Sequence, residues 1–335
     1  MGFLVNTLSI FVVALAIVFT VYVNYPEPPL SPLLYQWQSS GQHMDFKGYR
    51  VFYKDEVTAG ANDITVLLLH GFPTSSFDWY KILPDLRRNV RRVIAPDLLG
   101  FGLSDKPRFH TYSMYEQSDI IEALLKKINA PKVHILAHDY SVTVAQELMA
   151  RQIGGKLSFG SIETVCLLNG GVFPSLHRPR LMQNVLRMPI LGTVVSKLTN
   201  YYVFKWSLSE VFGANSQPSR DDYHDMWKLI RQKDGYRVMG DLLAYIDERH
   251  KNEDRWVGAV RTNRIPLHMI YGPSDPVNPP PFATTYRQII PDASLDELAQ
   301  GIGHYPQLED PKRVIELYLN WLKRRQAITQ VVFNT

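Results

Sequence analysis

Residues 132–151 read KVHILAHDYSVTVAQELMAR. The stretch from Lys132 to Ala137 is an apolar run of strand length, and Val142 to Arg151 continues with apolar residues at helical spacing. Between them stand Ala137, His138, Asp139, Tyr140 and Ser141, a small-x-nucleophile-x-small pattern at a strand-to-helix junction. A turn this tight needs small flanking residues, and it lifts its central side chain above the sheet as a nucleophile elbow. The helix behind it presents N–H dipoles that stabilise an ionised carboxylate and later an oxyanion. The central residue here is Asp139 and not a serine. Taken alone, an Asp after a strand is an ordinary helix N-cap; the rest of the chain has to decide.

Working outward, strand-length apolar runs recur at 65–70, 92–96, 163–169, 267–271 and 293–298, with helical patterns between them. That alternation predicts an α/β fold with a mostly parallel central sheet and helices on both faces. The clearest helices are 114–129 and 311–325, each apolar at i, i+3, i+4 spacing. Ligands of parallel sheets bind at the carboxyl ends of the strands, so the residues just after each strand carry the chemistry. After the first run come His70, Gly71, Phe72 and Pro73, which suit an oxyanion loop whose Phe72 N–H pairs with that of Tyr140. Beyond 267–271 lies Asp275 in the run Gly272, Pro273, Ser274, Asp275, Pro276, a carboxylate that in isolation is a turn residue. His304 follows in a glycine-flanked loop before the last helix, and in isolation is a surface histidine. The chain order nucleophile, acid, histidine is that of an α/β-hydrolase fold, and the conjunction is far more specific than any member.

Residues 171–257 break the rhythm: rich in Tyr, Trp, Arg and Met and without a clear strand, they read as a helical cap inserted between core segments 41–170 and 258–335. Residues 3–23 contain no ionisable side chain and are long enough to cross a bilayer as a helix. We read 1–24 as a transmembrane anchor and the Pro-rich 25–40 as a stiff linker. A cleaved signal peptide is the alternative, but Asn24, Tyr25 and Pro26 stand where a small-x-small cleavage site belongs. Few Lys or Arg flank the span, so the side of the membrane on which the body lies is weakly specified.

Composition sets the outer limits. The chain has 335 residues, 45% of them hydrophobic, with 22 Pro and 20 Gly, which excludes a disordered, collagenous or coiled-coil protein. The single cysteine, Cys166, excludes an internal disulfide and cysteine metal clusters. Net charge is +4 and the basic clusters are brief, so nucleic acid is not an expected partner. Gly100, Phe101, Gly102 is not a dinucleotide loop, and no metal-binding spacing occurs, so neither a cofactor nor a metal is expected.

The strings LLHGFPTSSFDWYKI, DLLGFGLSDKP, AHDYSVTVAQEL, YGPSDPVNP and GHYPQLEDP resemble the α/β-hydrolase branch that contains epoxide hydrolases and haloalkane dehalogenases. The resemblance spans the body from about residue 40 to the last helix, and it implies membrane association in the endoplasmic reticulum. It also implies that Asp139 is the nucleophile, Asp275 the triad acid and His304 the base, with Phe72 and Tyr140 as oxyanion-hole residues. Ser141 departs from the family pattern, which has Gly there, and its Cβ and hydroxyl crowd a strained turn. An aspartate attacks an sp³ carbon without deprotonation and yields an alkyl ester, which water activated by His304 then hydrolyses. Epoxide opening further needs an acid at the leaving oxygen, supplied in such enzymes by two cap tyrosines; Tyr245 fits the second position and Tyr202 the first. The expected substrate is a lipophilic small molecule drawn from a lipid bilayer. Lipid ester or acyl hydrolysis, and a non-catalytic membrane protein using the fold to bind partners, stay open. Dehalogenation is disfavoured because Tyr140 and Phe72 stand where halide-holding Trp and Asn donors are expected.

Overall fold

Val66, Leu67, Leu68 and Leu69 are all fully buried, which a strand achieves only when both faces of its sheet are covered. Alternate residues divide between two cores: Leu67, Ile135 and Val165 belong to one face, Leu68, Leu136 and Cys166 to the other. The computed structural model describes residues 2–23, 29–58, 62–262, 264–290 and 294–333, with side chains throughout except at 2–6, 8, 23 and 326–333.

Eight strands form one sheet: β1 (Gln42–Phe46), β2 (Tyr49–Val57), β3 (Thr65–Leu69), β4 (Arg92–Pro96), β5 (Lys132–His138), β6 (Ser161–Leu168), β7 (Leu267–Tyr271) and β8 (Ser294–Glu297). Their order is β1-β2-β4-β3-β5-β6-β7-β8. The sheet is parallel from β4 to β8, as the alternation predicts, while β1 and β2 pair antiparallel at one edge. β1 alternates over only five residues and β2 buries Val51 to Lys54 in succession between more exposed ends, a weak signal that the apolar-run reading passes over.

The helices before the cap are α1 (Gly2–Val23), α2 (Pro32–Ser39), α3 (Leu83–Asn89), α4 (Met114–Lys127) and α5 (Tyr140–Ile153). Ser113 starts α4 by accepting a hydrogen bond from the Glu116 N–H, an N-cap. The stiff linker expected over 25–40 needs correction in its second half, since 24–28 lie outside the described residues but α2 is a capped helix. Ser31 accepts from the Leu34 N–H, and Leu34 and Trp37 are buried, Trp37 edge-on to Phe77. The apolar pair is too short to register as a helix by periodicity, yet it fastens the chain to the body about ten residues before the expected start.

α1 is helical and its described side chains, Thr7 and Ser9 to Tyr22, are exposed, among them Ile10, Phe11, Leu15 and Val18. Among the described residues no helix is long and apolar enough to cross a membrane.

The insertion between β6 and β7 is helical: α6 (Leu181–Leu186), α7 (Pro189–Leu198), α8 (Tyr201–Ser209), α9 (Arg220–Arg231), α10 (Met239–Leu242), α11 (Tyr245–Lys251) and α12 (Glu253–Arg261). α12 has already rejoined the body, because the Trp256 indole is buried and donates to Glu147 of α5 at 2.9 Å. The chain closes with α13 (Phe282–Ile289), β8, α14 (Pro306–Glu309) and α15 (Pro311–Phe333).

Candidate active site

The elbow is strained as its sequence requires. Asp139 links β5 to α5 with φ 47° and ψ −106°, a left-handed conformation that costs a non-glycine residue about 1–3 kcal/mol. Gly71 must approach it closely, because a Cβ there would lie 2.7 Å from His138 Nδ1 and 2.9 Å from the Asp139 Cβ. That approach lets the Phe72 N–H donate to Asp139 Oδ2 at 2.9 Å. Tyr140 opens α5, so its N–H belongs to the first turn, which has no intrahelical acceptor. His70 braces the loop from behind: its Nε2 accepts from the Leu98 N–H at 3.0 Å, which leaves Nδ1–H to donate to the Gly71 carbonyl at 2.9 Å. Pro73 lines the cleft beside Phe72.

The other two candidates converge on the same point. His304 Nδ1 lies 2.9 Å from Asp275 Oδ2, and its Nε2 lies 3.5 Å from Asp139 Oδ1. Asp275 also accepts from Asn169 and Asn278 side chains and from the Val277 N–H. All three groups are buried. Burial pushes the Asp139 carboxyl up, but the hydrogen bond and charge of His304 reverse this and hold it well below the usual range. Burial lowers His304, yet the Asp275 charge and the hydrogen bond to Asp139 raise it to about 10. The resting site is therefore a carboxylate, imidazolium, carboxylate chain.

Over this triad the cap places one of the two tyrosines expected. Tyr245, at the start of α11, is fully buried, its hydroxyl has no hydrogen-bond partner, and its ring lies edge-on to Tyr140 with centroids 4.9 Å apart. Burial and then the Asp139 charge push that phenol up. Tyr202 is a correction: on the outer face of α8 and 76% exposed, it stands away from the triad. Sequence alone could not tell the faces of a helix in which Tyr201, Tyr202 and Val203 follow one another. His177, just after a short 3₁₀ turn at Pro174–Leu176, instead faces Tyr245 with ring centroids 6.3 Å apart, and neither of its buried nitrogens has a partner. Burial first, then the Arg249 charge, lower it to about 3, so its imidazole is neutral. The Arg249 guanidinium lies 4.5 Å from the Tyr245 ring centre and donates to the Asp139 carbonyl at 3.0 Å.

A cleft with about 100 Å³ of free interior begins at Phe72, His304 and Tyr305 and runs between the cap helices. Its walls are mainly apolar, with Met182, Leu186, Phe204, Leu208, Trp227 and Ile230 among them.

Residues 66–317 match the alpha/beta hydrolase family. The chain belongs to that family. It is 46% identical to the mesoderm-specific transcript homolog protein of Bos taurus over 90% of this chain and 91% of that protein. Two solved structures share the hydrolase fold. Haloalkane dehalogenase DbeA from Bradyrhizobium elkani has a TM-score of 0.70 at 22% identity, covering 86% of this chain and 99% of its own. Epoxide hydrolase CorEH has a TM-score of 0.69 at 20% identity, covering 85% and 98%.

Several residues that hold the hydrolase site escape sequence reading, because their work is done by hydrogen bonds between distant loops. Asn169, at the end of β6, donates to the carbonyls of Gly272 and Gly303 and to Asp275, and accepts from the Gly272 N–H. His138 Nε2–H donates to the His304 carbonyl at 2.8 Å. Glu309 accepts from Tyr305, Gly303 and Gly213, tying the histidine loop to the cap. The strand-end rule applied to 163–169 is the signal that points to Asn169.

Ser141 has a defined place in the elbow. It is fully buried in the first turn of α5, and its hydroxyl donates to the His70 carbonyl, clamping the oxyanion loop to the elbow. Ser141→Ala should therefore leave a buried carbonyl unpaired and lower unfolding stability by about 1–3 kcal/mol, read from the urea midpoint. An unchanged midpoint would show that the clamp is worth nothing.

Proposed function

We propose that this hydrolase opens lipophilic epoxides through an ester on Asp139, with α1 anchoring the chain in a membrane. The observation that carries the reading is the placement of one carboxylate between an N–H donor and an imidazolium: Phe72 on Oδ2, His304 near Oδ1. Asp139 attacks an epoxide carbon, the C–O bond breaks, and the leaving oxygen takes a proton from Tyr245 with His177 as a second hydrogen-bond donor. Once the ester has formed, the proton of the His304 imidazolium passes to the Tyr245 phenolate; water then adds to the ester carbonyl while the now neutral His304 accepts its proton and the N–H groups of Phe72 and Tyr140 hold the oxyanion. Collapse of that intermediate releases a diol and regenerates the carboxylate. The apolar cleft supports a lipophilic substrate. The likeness to an epoxide hydrolase structure supports the fold on which such chemistry is built.

Oxygen bookkeeping tests it. One turnover of a long-chain epoxide with excess enzyme in ¹⁸O-water should place the label in the peptide bearing Asp139, and unlabelled oxygen in the new hydroxyl of the diol. Label in the diol and none in that peptide would mean direct attack by water.

A further inference from the structure

The outer face of α6–α8 is unusually apolar. Leu181, Met188, Ile190, Val194, Tyr202 and Trp206 are exposed there, Ile190 by 82%. Elsewhere among the described residues, α1 apart, exposed large apolar side chains are few: Leu33 and Tyr35 on α2, and Val57, Phe109 and Ile153 singly. A contiguous patch of this kind marks a contact surface.

Three features identify what covers it. First, the chain from Thr164 to Ser209 contains no Asp or Glu, although 32 acidic residues are spread over the whole sequence, while Arg178, Arg180, Arg187, Lys197 and Lys205 fall within it. Arg180 and Arg187 pair with Glu210 and Asp247 from beyond this stretch, but Lys197 and Lys205 stand among the apolar side chains, and an apolar face with a basic excess matches an anionic phospholipid surface. Second, Tyr202 and Trp206 lie beside Lys197 and Lys205, the aromatic and basic composition of a membrane–water boundary. Third, the Tyr22 hydroxyl at the end of α1 donates to the Leu198 carbonyl in the last turn of α7 at 2.8 Å, so the apolar helix and the patch adjoin.

We infer that the outer face of α6–α8 docks on an anionic lipid bilayer and seats the cap in its interfacial layer. This rests on the reading of α1 as an anchor. The inner faces of α6 and α8 wall the cleft through Met182, Leu186, Phe204 and Leu208, so on this docking an apolar substrate passes from the lipid into the cleft that Phe72 and His304 line.

The six tryptophans provide the test. Trp206 is 55% exposed and the other five, Trp37, Trp79, Trp227, Trp256 and Trp321, are buried. Full-length protein is reconstituted in phosphatidylcholine–phosphatidylserine vesicles whose acyl chains are brominated just below the headgroup. Tryptophan emission should be quenched in the vesicle-bound chain, and Trp206→Phe should remove most of that quenching. Ile190→Glu with Val194→Glu, both at exposed positions, should do the same while the chain still floats with the vesicles. A chain that floats with unquenched emission, or with quenching that survives Trp206→Phe, overturns the docking and leaves the anchor standing. A chain that does not float overturns both.

Discussion

Exchanging His304 for Gln is expected to stop the enzyme halfway, with steady-state turnover falling about 10⁴-fold and Asp139 carrying one substrate per chain. The reason is electrostatic. In the resting site His304 is raised to about 10 because Asp275 and Asp139 both favour its protonated form against the effect of burial. Esterification removes the Asp139 charge, so only Asp275 still holds the proton and burial draws the imidazole back toward neutrality. The base is thus released when the ester it must attack has formed. A carboxamide in place of the imidazole would have no such basic nitrogen, whereas Asp139, still accepting from the Phe72 N–H and facing the Arg249 charge, would continue to attack. Intact-protein mass after mixing with a lipid epoxide should rise by the substrate mass in this variant, and by nothing in Asp139→Asn. Turnover within tenfold of wild type, or an adduct on any other residue, would remove Asp139 and His304 from their assigned roles.

The legible parts of this molecule are those fixed by local chemistry. β3, β5, β6 and β7 announce themselves as continuous apolar runs because both faces are covered, and Asp139, Asp275 and His304 are found by their places after strand ends. Phe72 and Gly71 follow from the need for close backbone approach. What stayed hidden depends on long-range geometry. The partners of Asn169 lie more than 100 residues away, and no spacing rule connects them. α2 is hidden for a different reason: its prolines argue for an extended chain, but Pro32 occupies the first helical turn, where its missing N–H has no cost. Tyr202 shows the limit of composition, since in a cap rich in tyrosine nothing in the residue type separates an exposed ring from Tyr245, which is buried against Tyr140. Ser141 reads from sequence as a crowding residue, yet the loop opposite presents a carbonyl that its hydroxyl bonds.

Tyr245→Phe is expected to slow formation of the Asp139 ester by about 10²–10⁴-fold, the usual scale of general acid catalysis, while the decay of ester once formed changes little. The phenol is held high by burial and by the neighbouring carboxylate, with Arg249 acting in the opposite direction. As Asp139 spends its charge on the new C–O bond, the second of these influences vanishes and that of Arg249 remains, so the hydroxyl becomes more acidic as the epoxide oxygen becomes more basic. On the proposed mechanism one neutralisation serves both ends of the reaction, sharpening the acid at Tyr245 and releasing the base at His304. His177 has a lesser part. A neutral imidazole lowered to about 3 is not a proton source at neutral pH, but its N–H can hold the leaving oxygen, and His177→Ala should slow the first step about tenfold, the scale of one hydrogen bond. Tyr202→Phe, altering an exposed ring, should change neither step. Rapid-quench mass spectrometry separates ester formation from decay. If Tyr245→Phe alkylates at the wild-type rate, the oxygen is protonated from somewhere other than the cap, and the unpaired hydroxyl above Asp139 has no part in catalysis.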